Sequence, residues 1–405
     1  MTKFLQRFIE ITYMFKLLKS ISLFFLGTGI AIFIYFLIKA NLDGYSIAPS
    51  LRTDYPITGQ FGDFIGGVVG TVFALTGTIL IYLTFEVQAK ESRSRKFESS
   101  FFEMIRLHRE NVMEMRFIKH NGVENEKLEN RQVLKNIFDE FIECYREVKR
   151  LLSSEKIDDY VIPKHKKFLN KISEKNNRIN IIELVKIDIA YTVIFYGLEV
   201  VGESAIKNLF KNRYNPEYYY KLIFYLKLKP KKSNTEKFKN WVNFQQSNEK
   251  DRQEIIKELY ANRRRLKGIR GLSLQAQGIN PYPPYEKYYG GYQSVLDHYF
   301  RHLFQSYKYL SETEDIAEDE KYFYGKLLRS QLSTYEQALL FVSSISCLGL
   351  RWELSAEIPK HRKIRADLIT RFNLVKNLPG NHLYGIKYRT YYKNVQFEAV
   401  DPPIS

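Results

Sequence analysis

From Phe64 to Phe85 the chain carries no charge for 22 residues. As a helix this run rises about 33 Å, enough to cross roughly 30 Å of hydrocarbon. It is also rich in small residues. Gly62, Gly66, Gly70, Ala74 and Thr78 recur every four positions, so on a regular helix they form one stripe. In lipid, a small-residue stripe lets another helix approach closely. The run reads as a membrane span, residues 64–85, built to pack against a partner helix.

A second apolar run, residues 20–38, precedes it and is closed by Lys39, a residue placed to snorkel into headgroups. A cleaved signal peptide fits poorly, because the apolar run exceeds the usual ~7–15 residues. Lys3, Arg7, Lys16 and Lys19 precede this run, and Lys90, Arg93, Arg95 and Lys96 follow the other. The connecting stretch holds Arg52 against Asp43, Asp54 and Asp63. The positive-inside rule then places both termini in the cytoplasm and the connection outside. The expected organisation is a basic N-terminus (1–19), span one (20–38), an extracytoplasmic loop (39–63), span two (64–85), a stalk helix (86–120) and a helical cytosolic domain (121–405). The location is a multi-pass protein of the inner (plasma) membrane, with the lipid bilayer as its first partner.

The fold class is mainly α: a two-helix transmembrane hairpin continuing through a stalk into an all-α body. No Pro or Gly occurs between Thr78 and Asn121, so span two is expected to run on as the stalk. Phe97, Phe101, Ile105, His108, Val112 and Met115 fall on one face at helical spacing. Such a seam suits the body or a second copy in a coiled coil, which makes a homo-oligomer through spans and stalk the expected assembly. Asn121-Gly122 is read as its end. A helix over about 128–152, one long buried helix over 181–209, and loop over most of 229–250 follow. Helices are also expected over about 248–267, 292–310 and 322–329. Ser333 and Glu336 form a capping box that opens another, and a last helix covers about 364–377. Cys144 and Cys347 lie in apolar contexts and read as buried free thiols, consistent with a reducing compartment.

Net charge is +17, and residues 205–274 alone hold 18 Lys or Arg against 6 Asp or Glu, a net +12. Such a patch suits phosphates of nucleic acid or anionic lipid. Its densest part, Arg263, Arg264, Arg265, Lys267 and Arg270, is a candidate polyanion site. Tyr282, Tyr285, Tyr288 and Tyr289 follow it as possible stacking faces for single-stranded nucleic acid. His298 and His302 lie four apart on one helix face, a spacing that can share a metal. Tyr299 stands where the zincin pattern needs Glu, so no metal site is assigned. A phosphate-binding glycine loop and a Gly-x-Ser-x-Gly elbow are both absent from the sequence. Hence no cofactor is expected, the catalytic residues are unknown, and enzymatic activity is left open.

Three separated motifs carry a family resemblance. The first is Gly62-Asp63-Phe64-x-Gly66-Gly67-x-x-Gly70-Thr71, followed by Thr84-Phe85-x-x-Gln88 and Phe97-Glu98-x-x-Phe101-Phe102. The second is Gly290-Gly291-Tyr292-Gln293 running into His298-Tyr299-Phe300-Arg301-His302-Leu303-Phe304-Gln305. The third is Arg329-Ser330-Gln331-Leu332-Ser333 with Glu336. Together they resemble phage abortive infection proteins of the AbiC type. The resemblance implies a bacterial antiviral defence role, in which infection triggers the protein and the infected cell dies or stops growing. It supplies no catalytic residue, and it makes His298, Arg301, His302, Arg329 and Glu336 candidate functional positions. Two mechanisms fit: a membrane-embedded effector whose body senses infection and perturbs the membrane, or a tethered nucleic-acid-binding protein or nuclease. Nucleic acid or a phage component is the candidate trigger.

Overall fold

The computed structural model describes residues 2–44, 55–120, 125–152, 154–175, 179–264, 271–354 and 367–398. The chain divides into two compact units, Met1–Ser100 and Phe101–Ser405, and is mainly α-helical throughout.

In the first unit, α1 (Thr2–Leu42) is one helix, and α2 (Tyr55–Phe64) is joined by a π turn (Ile65–Val69) to α3 (Gly70–Met113). The expected 39–63 loop is therefore partly helical. Pro56 explains the early start, since Pro is well tolerated in a first turn, where its missing N–H is not needed. Two stretches, Lys16–Leu42 and Thr58–Met113, are long and apolar enough to cross a membrane, and they contain the expected spans. Their apolar side chains point outward: Phe24 is 69% exposed and Phe85 64%. α1 packs through Phe36, whose ring stacks on Phe64 with centroids 4.3 Å apart. Gly29 makes room for Phe73, since a Cβ there would lie 2.8 Å from the ring. Thr76, Thr78 and Thr84 donate to carbonyls four residues back at 2.9, 2.9 and 2.8 Å, so these hydroxyls need no water. The π turn inserts a residue at Ile65–Val69, with the Gly70 N–H reaching Ile65 O. In this chain α1 uses the Phe61, Phe64 and Phe73 face of its partner. A Cβ placed on Gly62 or Gly66 meets no described atom within 4 Å, and Ala74 and Thr78 are exposed.

The second unit is built around α4 (Arg131–Leu151) and α6 (Ile181–Tyr196). Val133, Ile137, Phe141, Cys144 and Val148 line α4 at helical spacing and are buried, as is every residue of α6 from Ile189 to Ile194. α14 (Thr334–Ile345) packs on both. Around them lie α5 (Pro163–Lys175), α7 (Val200–Phe210), α8 (Pro216–Lys227), α9 (Thr235–Gln246) and α10 (Glu249–Ala261). Next come α11 (Leu274–Ile279), α12 (Gln293–Glu312), α13 (Glu318–Arg329) and the short α15 (Leu368–Arg371). Cys144 is buried and Cys347 partly so; both are free.

Four elements differ from expectation. The stalk helix ends at Met113, not near residue 120, because Arg116–His120 (β1) pairs antiparallel with Asn125–Glu129 (β2). Phe117 and Leu128 pair across this hairpin, Leu128 is buried, and the Phe117 ring lies 5.3 Å from that of Tyr292. Packing of half-buried Phe117 on Tyr292 and burial of Leu128 favour the hairpin over helix propagation there. The expected 181–209 helix breaks at Gly197, whose φ of 77° caps α6. A Cβ on Gly197 would sit 2.3 Å from Gly290 O, and one on Gly291 2.5 Å from Tyr196 O. Two backbones meet there directly, joined by Leu198 N–H to Tyr289 O at 2.8 Å and Tyr292 N–H to Ile194 O at 3.0 Å. Within 229–250, α9 replaces the expected loop, capped by Asn234 and anchored by buried Trp241 and Phe244. Residues 364–366 of the last expected helix lie outside the described residues; its described part holds α15 alone, with Phe372, Leu374 and Val375 buried in the turns beyond it. The apolar seam is covered within the chain at Phe101, His108, Val112 and Met115, so at those positions it offers no open coiled-coil face.

Candidate functional site

The end of α3, strand β2, the start of α4 and the α13–α14 connection enclose an open cleft of about 620 Å³. His108, Arg109, Val112 and Met113 line it from α3, and Lys127 and Glu129 from β2. Asn130, Arg131 and Gln132 line it from the start of α4, and Gln331 from the α13–α14 connection.

The wall behind the cleft is a buried polar cluster centred on Glu336, which is fully buried. The Ser333 hydroxyl accepts from the Glu336 N–H at 3.4 Å, and the Ser333 N–H donates to Glu336 Oε2 at 2.7 Å. This is the capping box read from the sequence. The same carboxylate accepts from Tyr299 Oη at 3.0 Å and pairs with Arg131 Nε at 3.3 Å. Arg131 Nη2 also donates to Gln331 O at 2.7 Å. A buried carboxylate needs such partners, and here they tie α4, α12 and α14 together.

His108 sits beside this cluster. Its ring lies 5.2 Å from that of Tyr299 and 6.2 Å from that of His302. It is 1% exposed, and neither ring nitrogen has a hydrogen-bond partner among the described residues. Burial, with His302 and Arg131 nearby, pushes its pKa down to about 4, so it is neutral at pH 7. Burial, then His298, also lowers His302, whose Nδ1 is unpartnered. α4 begins with Asn130 at φ 55° and no side-chain cap, and the Val133 N–H bonds to Asn130 O at 3.1 Å.

The positions singled out by sequence separate here. His302 and Glu336 come together with His108, Tyr299 and Arg131. His298 is exposed. Arg301 is exposed and pairs with Asp297 one turn back. Arg329 is buried and donates to Phe372 O at 2.8 Å and Asn373 O at 3.3 Å, so it holds a turn in place. Among the described residues no group of His, Cys, Asp or Glu is arranged to hold a metal. Arg263 and Arg264 are exposed beyond α10, with the Arg263 guanidinium 4.2 Å over the Tyr260 ring. Arg265, Lys267 and Arg270 lie outside the described residues. Of the tyrosines that follow them, Tyr285 donates to Leu228 O at 2.6 Å and Tyr289 to Glu147 at 2.8 Å. The Tyr289 ring is fully buried, whereas Tyr285 is half-buried with Lys287 Nζ 3.8 Å over its ring.

Sequence reasoning missed Arg131, and it placed His108 in the seam only as an apolar position. It also missed a second buried network on α4. Asn136, Glu140, Glu143 and Glu147, spaced four, three and four apart, form one polar stripe. Lys229 Nζ reaches Glu143 at 2.8 Å and Glu147 at 2.9 Å, and lies 3.7 Å over the Tyr288 ring. Burial opposes the lysine's charge, but Glu147 and Glu143 outweigh it and raise its pKa. Glu140, held by Tyr292 at 2.8 Å and Asn136 at 3.1 Å, is pushed by burial up to about 7. The regular spacing of these carboxylates was the available signal.

Residues 291–383 match the family described as "Putative phage abortive infection protein". The resemblance to abortive infection proteins read from the sequence holds over this segment, which supplies Tyr299, His302, Gln331 and Glu336 to the cleft and its wall. No curated protein and no solved structure matches the chain.

Proposed function

We propose that the chain is a membrane-anchored effector of phage abortive infection. Its helical body senses infection, and its two apolar helices carry the response into the bilayer. The observation that carries this reading is that one helix, α3, holds both ends of the device. It begins within the uncharged run and ends at His108–Met113 on the cleft, beside the segment that matches the abortive infection family.

The membrane side supports the same reading. The Gly62, Gly66, Gly70, Ala74 and Thr78 stripe is left open by α1, and stripes of that kind associate in lipid. Association with a second copy, followed by leakage, is the action assigned to it. Both termini then face the cytoplasm, as the flanking charges require. A tethered nucleic-acid-binding activity is the competing reading. It draws on the +12 segment and the Arg263–Tyr260 stack.

The test is phage plating on cells carrying the chain, with Gly66→Leu and Gly70→Leu compared against wild type. Protection lost with membrane insertion intact supports the reading. Full protection by both variants contradicts it.

A further inference from the structure

We propose that Lys287 is a reactive amine, set up by its neighbours to accept an acyl group from an acyl phosphate. The site is separate from the cleft and does not depend on the membrane reading.

Lys287 lies in the connector that leads to α12, and its backbone is held on both sides. Its N–H donates to Glu199 Oε1 at 3.0 Å. Lys231 N–H donates to Glu286 O and Tyr288 N–H to Lys229 O, both at 3.1 Å, so the residue sits in a short bridge opposite Pro230. The side chain is half-buried, and its Nζ stands 3.8 Å over the Tyr285 ring. That ring is itself fixed, since the Tyr285 hydroxyl donates to Leu228 O at 2.6 Å. A second ammonium, Lys237 Nζ, addresses the same ring at 4.6 Å. Lys237 is held there by Asn280 O at 2.9 Å and Tyr282 O at 3.3 Å.

Among the described residues Lys287 Nζ makes no ion pair with a carboxylate. Glu203 is engaged by Lys207 at 2.6 Å and Lys227 at 2.5 Å, and Glu199 meets the Lys287 backbone. A half-buried ammonium without a counter-ion, beside further cations, is disfavoured relative to the free amine. The aromatic face replaces only part of its lost hydration. Burial comes first and Lys227 second, with Lys237 adding to them; Glu199 and Glu203 oppose, and the pKa falls to about 8. At pH 7.5 about a quarter of Lys287 is then neutral, against roughly a thousandth of an ordinary lysine. A less basic amine is a weaker nucleophile, so the net gain in rate is about tenfold. Desolvation beside a second cation is a known way to activate a lysine nucleophile.

In the step itself the Nζ lone pair attacks the acyl carbon and a C–N bond forms. The acyl C–O bond breaks, its electron pair leaves on phosphate, and the amine proton passes to water. The products are an amide and inorganic phosphate. Lys227 and Lys237 favour an acyl compound that carries its own negative charge.

The full-length chain, purified in detergent, is incubated with acetyl phosphate, and acetylation of each lysine is followed by peptide mass spectrometry from about pH 6.5 to 9.5. At pH 7.5 Lys287 reacts about tenfold faster than exposed Lys239 and Lys257, and its rate is half-maximal near pH 8. Lys237→Met moves that midpoint up and slows Lys287 at least twofold at pH 7.5. Glu199→Gln keeps an acceptor for the Lys287 N–H but moves the midpoint down and speeds the reaction. Lys326→Met, a charge removed from the exposed face of α13, changes neither. The advantage of Lys287 is larger with acetyl phosphate than with neutral p-nitrophenyl acetate; an equal or smaller one contradicts the anionic acyl compound. The proposal is overturned if Lys287 reacts no faster than Lys239 and Lys257, or if Lys237→Met and Glu199→Gln shift its midpoint in the same direction.

Discussion

Replacing His108 by Phe should remove a specific part of the protein's acid sensitivity. His108 has a pKa of about 4 when folded, against 6.5 ordinarily. At pH 5 the unfolded chain takes a proton there and the folded chain does not. A depressed histidine thus costs stability as pH falls below its unfolded value, and the loss grows until the folded pKa is reached. Between pH 7 and pH 5 this amounts to about 2 kcal/mol. The surrounding groups agree in sign: Arg131 and His302 face the ring and both disfavour its charge. His165, also held down to about 4 by burial, loses a similar ~2 kcal/mol. Glu140 and Glu353 work the other way. Burial pushes both up to about 7, so each gains about 2 kcal/mol as pH falls over the same window. These four groups offset one another, so only the difference between wild type and variant isolates His108. The assay is denaturant unfolding of the full-length chain in detergent at pH 7 and pH 5. It is followed by fluorescence of Trp241 and Trp352, which are 2% and 1% exposed. His108→Phe should gain about 2 kcal/mol relative to wild type on going to pH 5. A gain below about 0.5 kcal/mol, the size of an ordinary surface effect, would refute the buried, unpartnered imidazole.

Other substitutions test the framework around the site. Lys229→Met strands Glu147, whose side chain is 8% exposed, in the interior, while Glu143, 41% exposed, can turn to water. It should cost about 3 kcal/mol, and unfolding midpoints unchanged from wild type would show the Lys229–Glu147 pair to be solvated. Gly197→Ala adds a Cβ 2.3 Å from Gly290 O at a φ of 77°. It should lose at least about 2 kcal/mol, and a neutral outcome would mean that the two loops do not meet. Arg329→Leu leaves the Phe372 and Asn373 carbonyls unpaired and should cost about 1–3 kcal/mol, whereas exposed Arg301→Ala should stay within about 0.5 kcal/mol. Equal costs for the two arginines would contradict their different placement.

The uncharged run was legible because a bilayer demands length and apolarity, both of which are local properties of sequence. The amphipathic stripe of α4 and the Ser333–Glu336 box were legible for the same reason. The hairpin was not, because Asn121-Gly122 is equally a helix stop and a hairpin dipeptide. Tertiary packing of Phe117 on Tyr292 and burial of Leu128 decide between them. Gly197 broke a helix that periodicity ran through, since its partner is a backbone some 90 residues away in Gly290-Gly291. The site divided along the same line. His302 and Glu336 were visible as motif positions. Their neighbours His108 and Arg131 come from segments with no chemistry-bearing pattern of their own, and tertiary packing alone brings them together. Arg329 had the residue type of a functional group, but its guanidinium is used by two carbonyls.

The central step is action of this chain upon the bilayer when the cell is infected. Membrane potential, followed cell by cell with a voltage-sensitive dye after phage addition, reads that step directly. Cells carrying the chain should depolarise before the normal time of lysis. Uninfected carriers and infected cells lacking the chain should hold their potential until then. Protected cultures that keep full potential throughout would contradict the account.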